Sequence, residues 1–83
     1  MATHFLKCLP EFFERSKAGV KNYEIRINDR NFKVGDIVIL QLYDPERGGL
    51  LGPFIEREID YILKGGHYGI AKDYVILELR PLS

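Results

Sequence analysis

The segment "IVILQLY", Ile37 to Tyr43, constrains the fold most. Ile, Val and Leu fill consecutive positions, so both faces of an extended chain are apolar there. Such a strand needs a neighbour on each edge and cover on each face, which places it in the middle of a sheet or barrel. The chain has 83 residues in which to supply those neighbours. That length suits one domain, residues 1–83, with a small core.

Four other stretches have strand character. "HFLKCL" (His4 to Leu9) is a short apolar run. "NYEIRI" alternates, with Tyr23, Ile25 and Ile27 on one face and Asn22, Glu24 and Arg26 on the other. "FIEREIDYIL" alternates too, setting Ile55, Arg57, Ile59, Tyr61 and Leu63 against Glu56, Glu58 and Asp60. "YVILELRPL" closes the chain with Val75, Leu77 and Leu79 on one face. "PEFFERSKAG" reads as a helix: Pro10 suits its first position, Glu11 and Lys17 complement the dipole, and Gly19 ends it. "NDRN" and "VGD" are turns, and "DPERGGLLGP" and "KGGHYGIAKD" are Gly-rich loops. The expected fold is α+β, mainly β: a small barrel of about five strands that closes to hide its edges, with one N-terminal helix over one side. Tyr23 and Tyr61 are expected in the core, and Phe12, Phe13 and Phe32 in the packing between helix and barrel.

Composition excludes several functions. Twelve Lys and Arg balance twelve Asp and Glu, so strong non-specific binding to duplex DNA is not expected. With one Cys and two His there is no zinc pattern, and no phosphate-binding or dinucleotide fingerprint occurs, so neither metal nor cofactor is expected. Cys8 has no internal disulfide partner and is expected to be buried and inert. No apolar run is long enough to span a bilayer, and the charged start "MATHFLKCLPEFFERS" does not read as a signal peptide. The expectation is a cytoplasmic protein without a membrane partner.

Against this neutral background, "GVKNYEIRINDR" gathers Lys21, Glu24, Arg26, Asp29 and Arg30 on and around one strand. Taken alone, alternating charges describe a solvated strand face, where neighbouring pairs contribute little. The alternative is a site. Arg and Lys can bind phosphate or carbonyl oxygens, and Glu can accept from an amine or imino group. Tyr68, in "GGHYG", and Tyr43, at the start of the other Gly-rich loop, are candidates to stack on a base, beside the plainer reading of rim packing and turn formation. Glu56, Glu58 and Asp60 read as a solvated acidic stripe.

"GVKNYEIR" resembles the G-x-K-x-x-E-x-R signature of the ASCH domains, a branch of the PUA-like superfamily of β-barrels. The resemblance extends through Leu9-Pro10, Phe13, Gly19, Lys21, Glu24 to Arg26, Asn28 to Arg30, Phe32 and Val34 to Asp36. It continues in Tyr43 to Pro45 and in Gly65, Gly66 and Gly69. The pattern is most similar to small ASCH-like domains of unknown function found in phages and firmicute bacteria. It implies a PUA-like, ASCH-type barrel that binds RNA or a nucleobase-containing small molecule in a cleft beside the helix. Lys21, Glu24, Arg26, Asp29, Arg30 and Tyr68 are then the candidate ligand-binding residues. Lys21 and Arg26 would meet phosphate or carbonyl groups, Glu24 would read a donor edge, and Asp29 would hold an arginine or the turn. Some ASCH relatives are amidohydrolases acting on a modified cytidine, and their signature lysine aligns with Lys21. Those enzymes carry a threonine where this chain has Glu24, and a helical insert for which "KGGHYGIAKD" has no room. If this chain were an enzyme, Lys21 and Glu24 would be its catalytic pair, with Glu24 activating water. A third possibility is a protein-interaction domain whose pocket is vestigial.

Overall fold

The computed structural model describes residues 1–82. The described residues form strands β1 (Thr3–Cys8), β2 (Tyr23–Ile27), β3 (Ile37–Asp44), β4 (Gly49–Lys64) and β5 (Tyr74–Pro81), with helix α1 (Pro10–Lys17) between β1 and β2. The chain is thus α+β and mainly β. Pro10 occupies the first turn of α1, and Leu9 before it is extended, as a residue preceding proline must be. Gly19, at φ 81°, turns the chain out of the helix just past its end.

The strands form one sheet in the order β1-β3-β4-β5-β2. β1 runs parallel to β3, and every other neighbouring pair is antiparallel. β3 has a partner on each side, as its apolar sequence requires. Inside the curled sheet, Leu6, Cys8, Val38, Leu40, Ile59, Val75, Leu77 and Leu79 form the core with Phe13 and Phe32. Phe13 and Ser16 are the buried residues of α1, which packs against β3. Arg57 fastens this cover by donating from Nη2 to the Ser16 carbonyl (3.1 Å), where the negative end of the helix favours a cation. No described helix is long and apolar enough to cross a membrane.

Three expectations need correction. The segment Asp44–Pro53 is mostly not a loop: β3 runs to Asp44, Pro45–Arg47 makes one tight turn, and β4 starts at Gly49. Asp44 closes the turn by accepting from the Glu46 N–H (3.0 Å), so the strands separate by only a few residues. The register shift between Gln41 and Tyr43 takes up the irregular "LGP" of β4, where Pro53 can give no ladder hydrogen bond.

Tyr61 is 55% exposed, and Tyr23 46% exposed, so neither is core. In β4 a second register shift, between Ile59 and Tyr61, changes the alternation; Ile62 packs on the core in place of Tyr61. In β2 the alternation holds but its facing is the reverse of the apolar-in expectation. Glu24 lies opposite Leu77 and Arg26 opposite Val75, so both charged residues share the inner face with core residues. Tyr23, Ile25 and Ile27 point outward and are about half exposed.

Finally, the sheet is a curled half-barrel and not a closed barrel. β1 and β2 are its two edges, and no ladder joins them. Arginine side chains span the seam instead: Arg26 Nη2 donates to the Lys7 carbonyl and Arg30 Nη1 to the Phe5 carbonyl, each at 2.7 Å. These are edge carbonyls of β1 that a neighbouring strand would otherwise have to satisfy.

Candidate functional site

The inverted facing of β2 sets a carboxylate inside the protein. Glu24 is 4% exposed. An isolated buried charge would be very costly, so its partners decide whether the fold tolerates it. Lys21 Nζ donates to Glu24 Oε2 at 2.5 Å, and Arg26 donates to Oε1 from Nη2 (2.7 Å) and Nε (3.0 Å). Lys21 also donates to the Tyr23 carbonyl at 2.6 Å, which folds its side chain back over the start of β2. Arg26 is held from the other side by the Lys7 carbonyl. Glu24 therefore braces two cations, and each cation is fixed by a backbone carbonyl as well.

These three side chains line a cleft of about 360 Å³ between β1, β2 and the start of α1. That size falls within the range of small-ligand sites. Its remaining walls are Lys7, Cys8, Leu9, Phe12, Tyr23 and Ile25. The Lys21 ammonium lies 4.7 Å from the Tyr23 ring centroid and 5.6 Å from that of Phe12. Phe12, at 42% exposure, is a cleft wall and not helix-to-barrel packing as its sequence suggested.

Unused hydrogen-bonding capacity defines what the cleft can bind. Arg26 Nη1 has no partner among the described residues, and the ammonium of Lys21 uses two of its three donors. Glu24 already accepts three hydrogen bonds. The cleft is therefore donor-rich, with aromatic walls. Cys8 lines it but is only 2% exposed. Burial pushes its thiol above the ordinary 9.0, and the Glu24 charge adds to this, against the opposing effect of Lys21 and Arg26. The thiol is thus a protonated wall, not a nucleophile.

The other candidates are placed differently. Arg30 donates from Nε to Asp29 Oδ1 at 3.3 Å while its Nη1 spans the seam. Both residues line a second cavity, which shares Ile25 and Arg26 with the cleft. Tyr68 is 86% exposed at the tip of the β4–β5 connection, with φ 56°, and lines none of the cavities described here. Tyr43 lies beneath the Lys7 ammonium, 4.8 Å from it. Glu58 and Asp60 of the acidic stripe pair with Arg80, at 2.8 and 3.3 Å. No cluster of three or more His, Cys, Asp and Glu suited to a metal occurs among the described residues.

A second buried carboxylate was not singled out from the sequence. Asp36 Oδ2 lies 2.8 Å from His4 Nε2 and accepts from the Lys33 N–H (3.1 Å), while Oδ1 accepts from the Ala2 N–H (3.0 Å). His4 packs edge-on against Phe32. Burial alone would push the Asp36 carboxyl up; the hydrogen bonds from Ala2, His4 and Lys33 outweigh it and hold the group below the ordinary 3.8. The sequence signal was the alternation of His4 with Leu6 and Cys8 on the inner face of β1.

Residues 3–79 match the model of the family described as a domain of unknown function, DUF3850. The match covers nearly the whole chain, and the chain belongs to this family. No curated protein matches it.

Proposed function

We propose that this member of the DUF3850 family binds RNA or a nucleobase-containing small molecule, in the cytoplasm, through the cleft beside α1. The observation that carries the reading is Glu24. A carboxylate 4% exposed holds Lys21 and Arg26 in a cleft walled by Phe12 and Tyr23, and the two cations keep donors in reserve. Pre-positioned cations suit phosphate and carbonyl oxygens, and aromatic walls suit the faces of a base. Lys21 and Arg26 contact the ligand in this reading. Glu24 is a positioning residue, because its oxygens are engaged by those cations. The likeness of "GVKNYEIR" to the ASCH signature supports the same assignment to a PUA-like fold and function, by analogy.

Calorimetric titration with nucleoside 5′-monophosphates and their nucleosides tests this. The expected result is binding that Lys21→Ala and Arg26→Ala each weaken at least about tenfold, since each removes a charge-assisted contact. Absence of binding by the folded wild-type protein to every compound at millimolar concentration would overturn the reading.

A further inference from the structure

The cleft is the first of three adjoining cavities along β2. It shares Ile25 and Arg26 with the second, which is about 320 Å³ and also takes in Arg30, Phe32 and Tyr74. The second shares Ile27, Asp29 and Tyr74 with the third, about 460 Å³, which reaches Lys64 and Lys72 on the β4–β5 connection. The cavities therefore adjoin in a row along β2, a groove in which Ile25 and Arg26 stand between the first and second cavities, and each cavity has an aromatic side chain in its wall.

Charge is segregated along it. Six cations and three carboxylates line the groove, in a chain whose formal net charge is zero. Lys7, Lys64 and Lys72 have no ion-pair partner among the described residues, and Arg30 Nη2 has no hydrogen-bond partner among them. Outside the groove the cation Arg80 is neutralised by Glu58 and Asp60. Unpaired cations interleaved with aromatic rings along a row of adjoining cavities are the arrangement that follows a single strand: cations track the phosphates and rings receive the bases. A duplex is a poor fit, because the molecule as a whole carries no positive surplus.

We propose that the groove is a single-stranded nucleic-acid track, with the cleft as its first subsite and the Arg30–Tyr74 and Lys64–Lys72 cavities as continuing subsites. This rests on the nucleotide reading of the cleft and extends it from one nucleotide to several.

Fluorescence anisotropy with labelled single-stranded hexanucleotides of RNA and of DNA, with a stable hairpin duplex and unlabelled mononucleotides as competitors, tests the track. The expected result is a single strand bound at least about tenfold tighter than a mononucleotide and tighter than the duplex. Lys72→Ala should weaken the hexanucleotide severalfold, flatten its logarithmic salt dependence by about 0.7, and leave mononucleotide affinity unchanged. Arg30→Ala should act in the same direction, but it also removes the bond to the Phe5 carbonyl, so Lys72→Ala carries the conclusion. Comparing the RNA and DNA arms identifies the preferred sugar. Hexanucleotides bound no more tightly than mononucleotides, or indifferent to Lys72→Ala, would overturn the track and leave the cleft reading intact. Failure of both ligand lengths to bind would overturn both.

Discussion

Glu24, on the inner face of β2, and Asp36, in the turn just before β3, are both carboxylates at 4% exposure, yet they have different surroundings. Asp36 accepts from two backbone N–H groups and faces His4, with no cavity beside it among those described. Its partners are fixed by the fold, and its role ends with them: it ties the start of β1 to the turn entering β3. Glu24 is met by two long cationic side chains that reach it from the margin of a cleft and keep donors without partners among the described residues. Those partners can turn part of their hydrogen-bonding capacity toward a ligand. Burial alone does not separate a structural acid from a functional one; the identity of its partners does.

Replacing each acid should sharpen that contrast. Asp36→Ala is expected to have the largest effect on stability, about 4 kcal/mol in urea unfolding, because it orphans backbone donors and a buried imidazole together. Asp36 should also dominate the acid sensitivity of this corner. Its folded-state value is depressed, so its contribution is fully present above pH 3.8 and disappears as pH falls below 3.8 through the folded-state value. Unfolding midpoints across that window should fall less steeply for Asp36→Ala than for wild type.

Glu24→Ala should cost less, about 2 kcal/mol, because Lys21 and Arg26 lie near the surface and regain water. Its effect on nucleotide affinity should exceed that of Asp36→Asn, measured by the same titration at a temperature where both variants are folded. Equal affinity losses would remove the distinction between the two acids.

The smallest effect concerns Cys8. Its thiol should react with iodoacetamide far more slowly than a free cysteine at pH 8, because burial holds it protonated and covered. Glu24→Gln removes a charge that raises the thiol and leaves Lys21 and Arg26 opposing burial, so the reaction should accelerate. An unchanged rate would show that Glu24 exerts no effect on the cleft floor.

Much of the sheet was legible because its rules are local. Val75, Leu77 and Leu79 face inward as their alternation dictates, and β3, the most continuously apolar strand, lies between two neighbours and not at an edge. The misplacements arise where specific partners or register shifts override the simple alternation. Tyr61 is turned outward past a register shift that no period-two pattern encodes. Tyr23 is outside because Lys21 and Arg26 make Glu24 tolerable inside, a fact about three residues jointly. The open seam was hidden for the same reason. Alternating strands suggest closure, whereas Arg26 and Arg30 satisfy edge carbonyls without a strand pairing. In the candidate site, alternation put Glu24 and Arg26 on one face with Lys21 at the entry to the strand, and the resemblance to the ASCH signature, more than the spacing, read the three as a site. Phe12 and Cys8 joined the cleft only through the fold.

The most direct test of the account is an amide NMR titration of the folded protein with nucleoside monophosphates and short single-stranded RNA. The account predicts shifts for the mononucleotides centred on Lys7 to Phe12 and Lys21 to Arg26, spreading to Arg30, Phe32 and Lys72 with the oligonucleotide. Shifts confined to other surfaces, or none at millimolar ligand, would contradict it.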